Sequence, residues 1–194
     1  MIYQKSQLGF NSYKKAAKMR KFILTVVLAF VSNAFFAQAA FDQFEGQDDI
    51  TSVIVNKKMF DLMSKVKMDS SDKETIQYLN LIRKLDNLKV FTTTSVRATA
   101  DMKTAAEKYI KTVGLEELMR VNEEGKNIKI VVKSGTTDAK IKELLMFIEG
   151  GGKEKETVLM FLTGDFDLNE IAVLTDKMRI PGGDDLKKAT KGKK

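Results

Sequence analysis

Four apolar segments crowd the second half of this chain with no helix-length interval between them, and that spacing limits its folds more than any other feature. They are Leu118–Asn122, Ile128–Lys133, Ile141–Ile148 and Thr157–Thr163. Each is short and rich in β-branched or bulky apolar residues, the signature of a strand. Parallel pairing needs a crossover of about a dozen residues or more, whereas antiparallel strands need only a turn. Glu123-Glu124-Gly125-Lys126 is such a turn, and Gly150-Gly151-Gly152-Lys153-Glu154-Lys155-Glu156 is a longer one. In Ile128–Lys133, Ile128, Ile130 and Val132 alternate with Lys129, Val131 and Lys133, so Lys129 and Lys133 face away from the isoleucines.

Upstream the period changes. Residues 40–49 read as a polar lead-in, and Ile50–Val55 as a short strand. In Lys57–Val66, Met59, Phe60, Met63 and Val66 recur at helical spacing. Ser71-Asp72-Lys73-Glu74 has capping-box form and opens a helix carrying Ile76, Leu79, Ile82 and Leu85 on one stripe. Leu88–Val96 reads as a strand. Thr99 is the expected cap of a helix with Met102, Ala106, Tyr109 and Ile110 inward, stopped by Gly114. A last helix is expected over Asp167–Met178. The sum is an α+β fold: an antiparallel sheet of about five or six strands with helices packed on one face.

The N-terminus has a different character. No charge occurs from Phe22 to Phe41, while Lys14, Lys15, Lys18, Arg20 and Lys21 precede this apolar stretch and Ala37-Gln38-Ala39 lies near its end. Basic region, apolar core and small residues at the cleavage positions make a secretory leader. Cleavage is expected between Ala39 and Ala40, with Met19 as an alternative start. The organisation is then a leader over residues 1–39, one domain over 40–180 and a disordered basic tail over 181–194. The uncharged stretch is also long enough to span a bilayer if retained, although Ser32, Asn33 and Gln38 weaken its far end.

Charge follows the same division. The chain carries +7 overall, but residues 1–39 contain six bases and no acid, and residues 177–194 add seven bases against Asp184 and Asp185. Between them acids outnumber bases. A nucleic-acid partner is therefore not expected. The lysine-rich tail reads as a solvated end, or as a contact for anionic lipid or polysaccharide.

The chain has no His and no Cys. Catalytic triads, thiolate nucleophiles, structural zinc and cysteine-held clusters are excluded with them, as is a lipid anchor on an N-terminal cysteine. What remains for chemistry is carboxylates, Lys, Tyr and hydroxyls, with or without a hard cation. The sharpest acidic cluster is Asp165, Asp167 and Asn169, which alternate like the start of a calcium loop. Glu170 stands where such a loop needs Gly, and Asp176 where it needs a bidentate Glu. A helix cap with Asp167 as N-cap and Glu170 at the third helical position accounts for the same residues. The methionines fall on apolar stripes and read as core. No cofactor is implied. Elimination leaves an exported, non-catalytic binding or interaction module whose partner is an envelope protein or a glycan; the alternative is a carboxylate- or divalent-metal-dependent enzyme.

Met59-Phe60, the Leu118-Met119-Arg120-Val121 hairpin with Gly125, Ile128 and Ile130, Ile141-Lys142-Glu143-Leu144-Leu145, and Val158 to Leu168 followed by Ile171 carry a resemblance. Over roughly residues 40–180 the chain resembles the exported bacterial envelope proteins grouped as domain of unknown function 4252. The resemblance implies export from a Gram-negative cell to the periplasm or beyond. Many members carry a lipid-anchoring Cys; this chain has none, which favours a free protein. No functional residues carry over.

Overall fold

The computed structural model describes residues 41–66, 73–123, 125–137, 140–150, 155–167 and 170–171. The expected leader with its Ala39–Ala40 junction, the expected Ser71 cap, the basic tail and most of the helix expected over Asp167–Met178 lie outside them. The chain is α+β. Its elements are β1 (Thr51–Asn56), α1 (Lys57–Met63), α2 (Lys73–Ile82), β2 (Leu85–Thr93), α3 (Val96–Val113), β3 (Glu116–Glu123), β4 (Lys126–Ser134), β5 (Lys140–Glu149) and β6 (Thr157–Asp167).

The six strands form one sheet in the order β1-β2-β6-β5-β4-β3, every neighbouring pair antiparallel. Strands β3 to β6 make a meander, as short connections demand. Helices α1 and α2 join the adjacent strands β1 and β2. Helix α3 carries the chain from β2 to the far edge at β3.

Register divides the core into two layers. On one face Val90, Met160, Met146 and Ile130 lie in a row across four strands. Phe60 of α1 and Tyr78, Leu81 and Ile82 of α2 join this row in one buried cluster. On the other face the matching row is Lys89, Phe161, Leu145 and Val131. Here α3 covers the sheet: Met102 is fully buried, and Tyr109 meets Phe161 edge-on with ring centroids 5.2 Å apart. Helices were expected on one face. The class and the antiparallel sheet match that expectation, but the helices divide between both faces. The reason is legible in β5 and β6, where Leu144–Ile148 and Thr157–Leu162 are buried at every position rather than at alternate ones. A strand apolar on both alternations needs a cover on each side.

Local chemistry sets the boundaries. Asn56 caps α1, its side-chain oxygen accepting from the Met59 N–H at 3.0 Å, and the helix stops at Met63 rather than Val66. Leu85 opens β2 instead of closing the stripe of α2, because Lys84 and Leu85 make a tight crossing against Gly164 of β6. Ser95, not Thr99, caps α3, accepting from Ala98 N–H at 3.3 Å. Thr99 instead donates its hydroxyl to Thr157 at 2.9 Å, fastening the helix to β6. Gly114 ends α3 in the left-handed conformation with φ 74°.

The lead-in is not merely polar. Phe41 and Phe44 flank a turn of 3-10 helix over Asp42–Phe44 and are both buried on the α3 face. Phe41 packs edge-on to Phe161 at 5.3 Å, and Phe44 edge-on to Phe91 at 5.8 Å. This segment covers the part of the sheet that α3 does not reach.

Candidate functional site

The acidic cluster singled out in the sequence is distributed over separate contacts. Asp165 lies on β6 and pairs with Lys142 of β5 at 3.2 Å. Asp167 ends β6, and its backbone N–H donates to Glu170 Oε2 at 3.1 Å, the return arm of a capping box. The Glu170 carboxylate in turn accepts from Lys84 Nζ at 2.7 and 2.8 Å. Asn169 lies outside the described residues. Among the described residues no group of three or more acids is gathered to hold a metal ion.

Two polar groups that the sequence did not flag are buried instead. Lys89 on β2 is 3 % exposed, and its ammonium is met by Asp42 and, at 3.0 Å, by Glu45. Both acids belong to the N-terminal segment, so the ion pairs fasten that segment to the sheet. On the same face Glu143 accepts from the Tyr109 hydroxyl at 2.6 Å and from Lys133 Nζ at 3.3 Å. Burial first, and then the hydrogen bond and the charge of Glu143, push the Tyr109 phenol well above its ordinary value. Each is a charge flanking an apolar run, Lys89 between Leu88 and Val90-Phe91 and Glu143 before Leu144–Ile148, which is the signal that could have found it.

The concave feature of this face is a groove of about 210 Å³ between α3 and the outer strands. Register builds its floor. Arg120 of β3, Lys129 of β4 and Phe147 of β5 form one row. Asn122, Asn127 and Glu149 form the next. Lys103 and Glu107 of α3 stand on the wall, with Ala106 and Ile110 between strand and helix.

Two of the groove's cations, Lys103 and Arg120, are paired with carboxylates. Lys103 Nζ reaches Glu149 across the opening at 2.8 Å, and this hydrogen bond leads in raising the lysine's pKa above its usual range. Arg120 donates to Glu117 at 2.5 Å and holds that carboxyl below the usual carboxylate range. Asn122 and Asn127, directly opposite each other across β3 and β4, line the groove with amide donors and acceptors, one row along from Phe147. Such a site can hold a polar ligand by hydrogen bonds. It offers no nucleophile activated by a neighbouring base.

No helix among the described residues is long and apolar enough to cross a membrane. No curated protein and no solved structure matches the chain. The family model described as a domain of unknown function, DUF4252, matches residues 44–174, which takes in β1 to β6 and α1 to α3. On that match the chain belongs to the family of domain of unknown function 4252.

Proposed function

We propose that this is an exported protein whose body binds a glycan of the cell envelope without transforming it, and that the groove beneath α3 is the binding surface. The basic and apolar leader ending in Ala37-Gln38-Ala39 supports export to the periplasm or beyond, with cleavage before Ala40. The absence of Cys from the sequence supports a free rather than a lipid-anchored form. The observation that carries the binding reading is the amides Asn122 and Asn127, opposite each other across β3 and β4 and lining the groove with Phe147 and the Lys103–Glu149 ion pair. Amide donors and acceptors near an apolar side chain suit a ring with hydroxyls on its rim and apolar carbons on its face. A groove of about 210 Å³ fits one unit of a longer chain that continues past the opening.

Soluble fragments of envelope glycan, titrated into isotopically labelled protein, test the reading by nuclear magnetic resonance. The side-chain amides of Asn122 and Asn127 and the backbone of β3 and β4 are expected to shift together and saturably, with the glycan recovered intact. Shifts confined to another surface contradict the site. Recovery of cleaved glycan contradicts the non-catalytic reading and favours a carboxylate- or metal-dependent enzyme.

A further inference from the structure

The two edges of the sheet are built differently. At β3 the outer strand carries Glu116, Glu117 and Arg120, and its register slips between Glu117 and Met119. Charges and a bulge on an edge are the usual means of preventing another strand from adding to it. At β1 neither device is present. Thr51-Ser52-Val53-Ile54-Val55-Asn56 has no charge and no Pro, and pairs with β2 over six residues without a slip.

Apolar exposure gathers at the same edge. Of the seven exposed large apolar side chains among the described residues, five lie on β1 or on α1 and the turn that follows it: Val53, Ile54, Met59, Leu62 and Val66. Val53 is 50 % exposed although it sits in a regular strand. The ends of β1 are charged with opposite sign. Asp48 and Asp49 precede it, Lys57 and Lys58 follow it, and all four are exposed. Asp48, Asp49 and Lys58 make no side-chain hydrogen bond or ion pair among the described residues.

We propose that β1 pairs antiparallel with β1 of a second copy of this chain, joining the two sheets into one across a two-fold axis. Acid at one end, base at the other and apolar residues between form a pattern complementary to its own reverse, so an antiparallel copy sets opposite charges together at both ends. A parallel copy sets like against like. The symmetry limits the register to those with a residue on the axis, and the charged ends select Val53. A two-fold axis perpendicular to the sheet keeps each face on its own side, and residues directly opposite in a sheet share a face, so one residue must meet its own copy. With Val53 on the axis, Thr51 meets Val55 of the second copy, and Asp48 and Asp49 at one end of β1 come beside Lys57 and Lys58 of the second copy. The uncharged edge, its apolar side chains and its charged ends then have one occupant.

Sedimentation velocity over a concentration series tests this on the full chain as purified from cells. The wild type is expected to dimerise at micromolar concentration. Val53→Lys, placing a charge on the axis, is expected to remain monomeric with an unchanged circular dichroism spectrum. Asp48→Lys and Lys58→Asp are each expected to weaken the dimer about tenfold, which is ~1.4 kcal/mol, and an equimolar mixture of the two to regain wild-type affinity by opposing unlike charges. A wild type that stays monomeric into the hundreds of micromolar overturns the proposal, as does a Val53→Lys chain that still dimerises. Failure of the mixture to recover affinity overturns the antiparallel register.

Discussion

Tyr109 of α3 donates its hydroxyl to Glu143 of β5 across 2.6 Å, joining the crossover helix to the middle of the sheet. Burial and the neighbouring carboxylate both hold the phenol in its protonated form. Its folded pKa therefore lies above the unfolded value, and the folded state keeps a proton that the unfolded chain releases. Stability from this group is complete below the ordinary tyrosine pKa and is lost as pH rises beyond it. Of the four tyrosines, Tyr3 and Tyr13 fall within the proposed leader. Tyr78 is shifted in the same direction by burial alone. In the processed protein, tyrosinate absorbance above pH ~10 should therefore lag behind a free tyrosine, with the Tyr109 fraction appearing only as circular dichroism is lost. Tyr109→Phe should lower stability by about 1–2 kcal/mol in urea melts, since it leaves a buried carboxylate short of a donor.

Lys89 distinguishes an ion pair from a buried charge. Its ammonium is almost wholly enclosed, while Asp42 and Glu45 are half-exposed. Neutralising both acids with Asp42→Asn and Glu45→Gln leaves the lysine buried without countercharge and should cost about 1–3 kcal/mol, reduced from the fully buried case because water reaches the acids. Lys89→Met should cost less than that double substitution, because it removes the charge that needs a partner. Urea denaturation of the three proteins gives the order directly.

Gly164 shows where backbone meets backbone. A Cβ at this position lies 2.3 Å from the Lys84 carbonyl oxygen and 3.0 Å from Leu85 Cα. Lys84 O also accepts from the Asp165 N–H at 2.9 Å, so the strand cannot move away without losing that bond. Gly164→Ala should destabilise by about 2 kcal/mol or more, read as a lowered melting temperature. Gly46→Ala is the control for handling, since nothing lies within 4 Å of its Cβ, although its φ of 73° adds some strain of its own.

Phe41 holds a left-handed backbone at φ 68°, costing roughly 1 kcal/mol, and its ring nevertheless lies against Phe44, Tyr109 and Phe161. Packing overrides the local preference. Phe44→Ala should lower stability by about 3–5 kcal/mol, measured by calorimetry, and expose the Lys89 side of the sheet to faster amide exchange.

Much of this architecture is readable from residue pattern. The hairpin of β3 and β4, the Gly114 stop and the antiparallel meander follow from turn chemistry and from intervals too short for a crossover. What failed to read has specific causes. Leu85 stands three residues after Ile82 and so fits a helical stripe as well as a strand start; the crossing against Gly164 decides, and that contact is remote in sequence. Thr99 and Ser95 are both competent caps, and only the position of Thr157 assigns them. Phe41 and Phe44 sit among Asp, Gln and Gly, where composition argues for solvent, yet two aromatic rings suffice to anchor the segment. The groove was invisible because Lys103, Asn122, Asn127 and Glu149 come from four elements that only the sheet order brings together.

The proposed leader routes this body out of the cytosol and is removed before Ala40, leaving Phe41 against the sheet. Fractionation of the producing cell followed by intact-mass measurement tests it most directly. A chain of residues 40–194 is expected in the periplasmic or extracellular fraction. A full-length chain recovered from the cytosol contradicts it.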